Sequence, residues 1–312
     1  MKPEAAAQPT ISVVLTIVDG GDVLRSCLQA LADQDVSQPM EVLVPYDYLC
    51  SEAGEMAAEF TGFTFIDISE VHGGHRPKDG LELHHFYDVR RSEALKRSNG
   101  HLIAIIEDRG LPATDWASQM IALHDEFPHE VIGGAVENGV DRLWNWATFF
   151  CDFGRYQPPL EQEQPEYVTD TNICYKRAVL DKVRHLWEES YIEAELHWTI
   201  ARAGGRLMLT DRARTRQIRP SVSASSRASE RYHWGRMFGQ VRGRDSNAAA
   251  RLKYIVFSPL LPAVLYWRHL RRQINKGQHV GRFLAATPLT LYLLTCWSFG
   301  ELMGYLQAKS TS

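Results

Sequence analysis

The chain has 312 residues, of which 45% are hydrophobic and 23% charged, and its formal net charge is −4. A chain of this length can bury a core in one large domain or in two smaller ones. The near-neutral charge argues against general nucleic-acid binding, which usually requires a basic surface. The five cysteines form no CxxC pair, and the apolar run 11–18 is too short for a signal peptide. Both features predict a cytosolic catalytic part with reduced thiols.

The N-terminal half alternates between predicted strands and helices. Residues 1–9 are predicted to form a disordered leader. An apolar strand at 11–18, an amphipathic helix at 22–33 and a second strand at 41–46 follow it. This rhythm predicts an α/β fold, with a mostly parallel sheet flanked by helices and joined by right-handed crossovers.

The stretch 99–116 combines a predicted buried strand with two adjacent acids. Its apolar run, residues 102–106, ends at Glu107 and Asp108. In parallel α/β sheets, ligands bind just beyond the carboxyl ends of the strands, and Mg²⁺ and Mn²⁺ prefer oxygen ligands. The two acids are therefore candidates for holding a divalent cation and phosphates. The alternative is that they only cap a turn.

Several short motifs follow one another along the chain. They are, in chain order, the run CLQAL at 27–31 with Gln34, then Asp47, Arg91 with Gly100, Asn172 in TNICYKR, and Glu193 in YIEAELHW. In their order and spacing these motifs resemble the family 2 inverting glycosyltransferases of the GT-A fold over roughly residues 10–245. Glu107-Asp108-Arg109 stands at the family's Asp-any-Asp motif, so an arginine replaces its last acid. A histidine that many relatives use for metal binding is replaced by Gln217.

The resemblance implies transfer of a sugar from a nucleotide diphosphate sugar, with Glu193 as the general base. The residues expected to bind this donor are Asp19, Asp47, Arg91, Glu107, Asp108, Arg109, Arg231 and Arg236. Trp146, Asp170 and Asn172 are expected on the acceptor side. A divalent cation, Mg²⁺ or Mn²⁺, is expected at Glu107 and Asp108, with Arg109 as an alternative group for stabilising the leaving diphosphate.

These assignments have structural alternatives. Glu193 would also stabilise the positive start of a helix, and Asp47 would also serve as a turn residue. Trp146 belongs to an aromatic run, 144–150, for which core packing is the default explanation. Arg231 and Arg236 lie on a basic helix at 227–244, which would also form a solvated face or attract a membrane surface.

Residues 246–312 are predicted to form a hydrophobic helical segment directed to a membrane. The run 252–267 has 16 residues, fewer than the about 20 that a span requires, and a basic linker follows it. The run 283–306 is longer but contains Pro288 and Glu301. We expect the first run to lie in the membrane interface and the second to be buried or to cross, at the cytoplasmic face. The alternative is that both pack on the catalytic domain.

Taken together, these patterns predict an inverting glycosyltransferase that acts on a lipid or cell-envelope acceptor close to a membrane. A nucleotidyltransferase would need a basic residue in the loop after the first strand, and Asp19-Gly20-Gly21-Asp22 lacks one. A catalytically inactive GT-A-like protein, which binds nucleotides or serves as a scaffold at the membrane, is the remaining alternative.

Overall fold

The computed structural model describes residues 8–160, 165, 167–220, 223–244 and 246–308, so most of the predicted leader lies outside the described residues. The chain forms two compact units. Unit 1 consists of Met1–Arg76, His84–Gly139 and Tyr156–Ile218, and unit 2 of Pro77–Leu83, Val140–Arg155 and Arg219–Ser312. This division differs from the predicted boundary at residue 245, since the third part of unit 2 already begins at Arg219.

Unit 1 contains a mixed sheet with eight strands in the described part of the chain. The strands are Ile11–Thr16 (β1), Met40–Tyr46 (β2), Thr64–Asp67 (β3), Leu102–Glu107 (β4), Gly110–Pro112 (β5), Val131–Asn138 (β6), Asn172–Lys176 (β7) and Leu207–Gln217 (β8). Their order across the sheet is β3-β2-β1-β4-β7-β6-β8-β5. The first four in this order are parallel, whereas β7 is antiparallel to both of its neighbours.

The helices account for most of the remaining structure. They are Gly21–Ala32 (α1), Glu52–Met56 (α2), Gly80–Arg97 (α3), Trp116–Glu126 (α4), Leu143–Asp152 (α5), Arg177–Lys182 (α6), Glu193–Arg202 (α7), Ala224–Arg244 (α8), Ala248–Phe257 (α9), Leu261–Lys276 (α10), Val280–Ala285 (α11) and Thr287–Gln307 (α12). Short 3-10 helices lie at Ser69–His72, Arg184–Leu186 and Ser258–Leu260.

The predicted α/β fold is confirmed, and the N-terminal elements form where the apolar pattern places them. The predicted strands at 11–18, 41–46 and 102–106 correspond to β1, β2 and β4, with ends that differ by one or two residues. The apolar face of α1, with Leu24, Cys27, Leu28 and Leu31, is fully buried in the core of unit 1. Each such side chain contributes roughly 1.5–3 kcal/mol through burial.

The sheet register brings two chain segments together at the carboxyl ends of the strands. β1 and β4 are parallel neighbours, and Thr16 of β1 lies opposite Glu107 of β4. The loop that follows β1 is therefore adjacent to the turn that follows β4. Parallel α/β sheets bind their ligands at this edge.

In unit 2, α8 and α12 pack backbone to backbone through glycines. A Cβ atom added at Gly239 of α8 would lie 2.3 Å from the carbonyl oxygen of Glu301, and one added at Gly300 of α12 would lie 2.0 Å from that of Tyr232. Leu293, Leu294 and Tyr305 of α12 are buried. The predicted apolar run 283–306 thus buries one face of α12 in unit 2, while Leu291, Tyr292, Phe299 and Leu306 on the same helix are exposed.

A second apolar stretch of unit 2 is exposed. Ala248–Lys276, which comprises α9, α10 and the short helix between them, has 29 residues and is long and apolar enough to cross a membrane. It is the one such helix in the described part of the chain. Its large exposed apolar side chains are Leu252, Val256, Phe257, Leu260, Val264, Trp267 and Ile274. Unit 2 therefore leaves a broad apolar surface uncovered.

Candidate active site

Asp108 fixes the loop between β1 and α1. Its Oδ2 atom accepts hydrogen bonds from the backbone amides of Asp19 (3.0 Å) and Gly20 (2.8 Å). Gly20 has a φ of 72°, a backbone conformation that residues with a Cβ atom rarely adopt. The carboxyl group is fully buried, and burial raises its pKa to about 6, although the amide of Gly20 acts in the opposite direction. Its Oδ1 atom has no hydrogen-bond partner among the described residues.

Arg109, the next residue, forms a bidentate ion pair with Asp19. Its Nε atom lies 2.7 Å from Oδ2 of Asp19, and its Nη2 atom lies 2.6 Å from Oδ1. The two side chains retain 12% and 19% of their exposure, respectively. The β1–α1 loop and the turn after β4 are thus joined by a charged pair that solvent can reach.

Arg91 is the buried cation around which the acids of the site gather. Its guanidinium group contacts carboxylate oxygens of Asp88 (2.9 Å), Glu107 (3.2 Å) and Asp170 (2.7 Å). Burial by itself lowers the pKa of Arg91, but the charges of Asp170, Asp88 and Glu107 outweigh it, so the pKa is raised. Arg91 therefore stays charged and connects the end of β4 with the loop that precedes β7.

Glu193 lies at the first position of α7, next to Asp170. Its Oε2 atom accepts a hydrogen bond from the backbone amide of Asp170 at 3.3 Å. Burial and then the negative charge of Asp170 raise the pKa of Glu193 well above its usual value. A carboxylate with a raised pKa is a stronger base once it is ionised. Asp170, in turn, is held by Arg91, so one chain of contacts runs from Glu193 through Asp170 and Arg91 to Glu107.

A buried polar network supports this arrangement. The hydroxyl group of Tyr175 lies 2.6 Å from the hydroxyl group of Tyr191 and 2.6 Å from Nε2 of His197. Burial lowers the pKa of His197 to about 3, so its ring is neutral. The guanidinium group of Arg91 lies 5.8 Å from the centre of the Tyr191 ring. The network fixes the start of α7, where Glu193 lies. The run NICYK does not predict this network, because such a short apolar pattern indicates only a buried strand.

The carboxylate of Asp47 forms an ion pair with Arg90, which the sequence motifs did not predict. Both carboxylate oxygens of Asp47 accept hydrogen bonds from Arg90, at 2.9 Å each, and His72 Nε2 lies 3.4 Å away. Asp47 is fully buried and Arg90 nearly so. The role of Asp47 in binding a nucleoside stays a prediction, and a ligand there would have to replace or share this ion pair.

Asn172 does not have the acceptor-side position expected of it. Its side chain is fully buried, where it accepts a hydrogen bond from the indole N–H of Trp116 (2.8 Å) and donates to the carbonyl oxygens of Ala135 and Ala213. A buried amide with these partners joins β7 to its surroundings rather than facing a substrate. Asp170, two residues earlier, lies at the candidate site.

The remaining predicted site residues belong to unit 2. Trp146 is buried against Phe149, Phe150 and His279, so core packing accounts for it and the predicted acceptor shelf does not. Arg231 is also buried, where it pairs with Asp152. Arg236 donates a hydrogen bond to Gln307 at 2.8 Å. Arg231 thus forms a buried ion pair inside unit 2.

The acids at the ends of β1 and β4 do not form a donor set that fits Mg²⁺ or Mn²⁺. These ions require several converging oxygen ligands. Glu107 is held by Arg91, Asp19 is held by Arg109, and Asp108 uses one oxygen to bind the β1–α1 loop. The described residues contain no group of three or more His, Cys, Asp or Glu side chains that could hold a metal ion. Asp108 Oδ1, which is buried and has no hydrogen-bond partner among the described residues, does not make such a set by itself.

Comparison with solved structures shows which fold this is. The chain is similar to residues 1–349 of TarS from S. aureus in complex with UDP-GlcNAc, with a TM-score of 0.52, 15% identity, and coverage of 96% of this chain and 92% of that 1–349 chain. It is equally similar to the mannosyltransferase PcManGT from Pyrobaculum calidifontis in complex with GDP-Man and Mn²⁺, with a TM-score of 0.52, 15% identity, and coverage of 96% and 86%. No protein-family model and no curated protein matches the sequence. The fold is GT-A.

Proposed function

We propose that this protein is an inverting glycosyltransferase that transfers a sugar from a nucleotide diphosphate sugar to an acceptor close to a membrane, such as a lipid. The GT-A fold and the nucleotide sugars bound by TarS and PcManGT support the donor class. The observation that carries the proposal is the contact chain from Glu193 through Asp170 and Arg91 to Glu107. It links Glu193, whose pKa is raised, to Glu107 at the end of β4.

The reaction is a single displacement. An acceptor hydroxyl oxygen attacks the anomeric carbon of the donor, and Glu193 takes the hydroxyl proton as the new bond forms. The bond between the anomeric carbon and the diphosphate oxygen breaks, and its electron pair leaves with the diphosphate. Attack from the side opposite the leaving group inverts the anomeric configuration. Asp170 and Arg91 act as positioning residues, because they hold the carboxylate of Glu193 and set its pKa.

No step of this mechanism uses the Mg²⁺ or Mn²⁺ predicted at Glu107 and Asp108. The complex of PcManGT contains Mn²⁺, but in this chain arginines or backbone amides already hold the corresponding acids. The charge that develops on the leaving diphosphate still requires a positive group.

The membrane part of the proposal rests on unit 2. The exposed apolar side chains of Ala248–Lys276 are accompanied by exposed Arg268 and Arg271 near its C-terminal end. Apolar side chains next to basic ones are typical of segments that lie in the interface of a membrane with anionic lipids. We propose that this surface binds the cytoplasmic face of the cell membrane. The double substitution Leu260→Ser and Trp267→Ser should then reduce cosedimentation with anionic vesicles. Unchanged cosedimentation would contradict the proposal.

Transfer assays test the enzymatic part. The purified protein would be incubated with a panel of labelled UDP- and GDP-sugars and a lipid extract, and the products examined by NMR for their anomeric configuration. A product with the configuration opposite to that of the donor supports the proposal, and a retained configuration would contradict inversion. If the protein binds nucleotides but transfers sugar from none of the donors, the catalytically inactive alternative is favoured. The ion pairs that occupy Asp19 and Asp47 are the observation that favours this alternative.

A further inference from the structure

The arginines of the candidate site differ in how accessible they are. Arg90 and Arg91 retain only 2% and 1% of their side-chain exposure. Arg90 is fixed by fully buried Asp47, and Arg91 is fixed by three carboxylates that retain 13–14% of their exposure. Arg109 retains 12%, and its partner Asp19 retains 19%. Among these three arginines, Arg109 is therefore the one whose guanidinium group a ligand can reach with the least rearrangement.

The position of Arg109 is also the one at which a leaving diphosphate needs a positive charge. It directly follows Glu107 and Asp108 at the carboxyl end of β4, beside the loop after β1. A guanidinium group can bind two phosphate oxygens with two parallel hydrogen bonds, the geometry in which Arg109 already binds the carboxylate of Asp19. Most of the oxygen ligands that a divalent cation would need at the same place are engaged with Arg91, Arg109 and backbone amides, and Asp108 Oδ1 alone does not make a coordination set.

We infer that Arg109 binds the diphosphate of the donor in the place of a divalent cation, and that Asp19 holds its guanidinium group until phosphate oxygens replace the carboxylate. This inference rests on the proposed function, because it assigns the group that stabilises the leaving diphosphate. The exchange breaks no covalent bond. Arg109 keeps its protons and replaces two hydrogen bonds to Asp19 with two to phosphate oxygens. In the transfer step the proton still goes to Glu193, and the electron pair still leaves with the diphosphate.

Isothermal titration calorimetry tests the inference, with UDP, GDP, ADP and inorganic pyrophosphate as ligands, first in EDTA and then in Mn²⁺. The wild type should bind at least one nucleoside diphosphate in EDTA, and Mn²⁺ should change its Kd less than about twofold. R109Q should weaken this binding by roughly 10- to 100-fold, the range for losing hydrogen bonds to a charged group. R184Q is the matched control, because Arg184 forms an exposed ion pair with Glu188. It should leave the Kd unchanged.

Two further variants test the exchange itself. D19N removes the carboxylate that competes for Arg109, so pyrophosphate should bind several-fold more tightly. Pyrophosphate is the suitable probe because it has no ribose with which Asp19 could interact. R109D places a carboxylate beside Asp19 and Glu107, so nucleotide binding should become dependent on Mn²⁺. Circular dichroism establishes that each variant is folded, and R109K, which keeps the charge but not the planar fork, should bind with intermediate affinity.

The outcomes separate this inference from the proposed function. Binding of nucleoside diphosphates by the wild type only in Mn²⁺, or a wild-type Kd for R109Q in EDTA, would overturn the inference and leave the proposed function standing. Weaker pyrophosphate binding by D19N, or metal-independent binding by R109D, would also overturn it. If the wild type binds no nucleoside diphosphate under either condition and transfers no sugar, the proposed function itself fails.

Discussion

Both units of this protein bury ion pairs, Arg231 with Asp152 among them in unit 2, but they differ in how much large apolar surface they leave exposed. Unit 1 buries ion pairs, such as Asp47 with Arg90 and the acids around Arg91, at the carboxyl edge of its sheet. Unit 2 leaves large apolar side chains, such as Leu260 and Trp267, about 60% exposed. Each arrangement is unfavourable for a protein that only has to fold in water, because buried charges lose hydration and exposed apolar surface retains contact with water.

The difference shows where function constrains each unit. Buried charges with shifted pKa values cluster at sites that bind or react, which suits the donor and acceptor chemistry proposed for unit 1. Many large exposed apolar side chains on one segment indicate a surface that contacts something other than water, which suits the membrane proposed for unit 2. Five substitutions, three in unit 1 and two in unit 2, test this contrast.

The largest effect is expected for Glu193 in unit 1. Glu193→Gln removes the group that accepts the acceptor's proton, so turnover should fall by roughly 100- to 10,000-fold with nearly unchanged donor affinity. Steady-state kinetics with separate kcat and KM values would measure it. Glu195→Gln is the matched control, because Glu195 is exposed on the same helix, and its effect should be mild. If the effects are reversed, the base is Glu195.

The pH dependence of activity sharpens the same assignment. Because the pKa of Glu193 is raised, the acid limb of the kcat/KM profile should lie above the usual pH for a glutamate. In Asp170→Asn the neighbouring negative charge is lost, so this limb should shift to lower pH. A limb that stays in place would show that Asp170 does not tune the base.

Substitution of Asp108 tests whether its buried negative charge lowers the free energy of unfolding of the protein. Its folded-state pKa of about 6 lies above the unfolded value of about 3.9, so the native state binds more protons between these values. The stabilisation is fully present below about pH 4 and is lost as the pH rises through about 6.

Asp108→Asn removes this titration. From pH 4 to pH 7 the free energy of unfolding of the variant should therefore rise by about 2 kcal/mol relative to the wild type. Urea denaturation at several pH values would measure this difference. Asp115→Asn, at an exposed aspartate, is the control for replacing a carboxylate with an amide. A constant difference for Asp108→Asn would mean that the carboxyl group is not desolvated as described.

In unit 2, Gly239 tests whether α8 and α12 pack through their backbones. The added Cβ of Gly239→Ala would lie 2.3 Å from the carbonyl oxygen of Glu301, so the helices would have to separate. Such overpacking should lower the free energy of unfolding by about 1–3 kcal/mol. Gly281→Ala is the matched control, since a Cβ there would meet no atom within 4 Å and alanine favours a helix. Equal thermal stability of the two variants would contradict the close packing.

The smallest effect is expected for the charge beside the exposed apolar surface. Arg271→Gln removes one basic side chain, worth about 1 kcal/mol near an anionic membrane, so partitioning to anionic vesicles should weaken about fivefold. Vesicle cosedimentation at low and high salt would measure it, because the basic contribution is screened by salt. Arg184→Gln, in unit 1, should partition like the wild type. A salt-independent result would show that the charge has no part in membrane binding.

The local pattern of the sequence determined the elements and the edge at which the site lies. Apolar runs ending at Asp47 and Glu107 predicted β2 and β4, because strands in a parallel sheet are apolar on both faces. The spacing of Leu24, Cys27, Leu28 and Leu31 predicted α1, since residues three and four apart lie on one helical face. The order of motifs also predicted the GT-A fold, and it brought Glu193, Arg91 and Glu107 onto one list of candidates.

Only the tertiary structure decided which charges meet and which side chains are buried. Arg91 contacts Asp170, 79 positions away, and Arg109 contacts Asp19, 90 positions away. Such contacts depend on sheet order, including the antiparallel insertion of β7, which a short run such as NICYK does not encode. The same insertion buries Asn172 against Trp116. Residue types and spacing thus fix what can form locally, whereas packing between distant segments fixes the partners that set pKa, accessibility and chemistry.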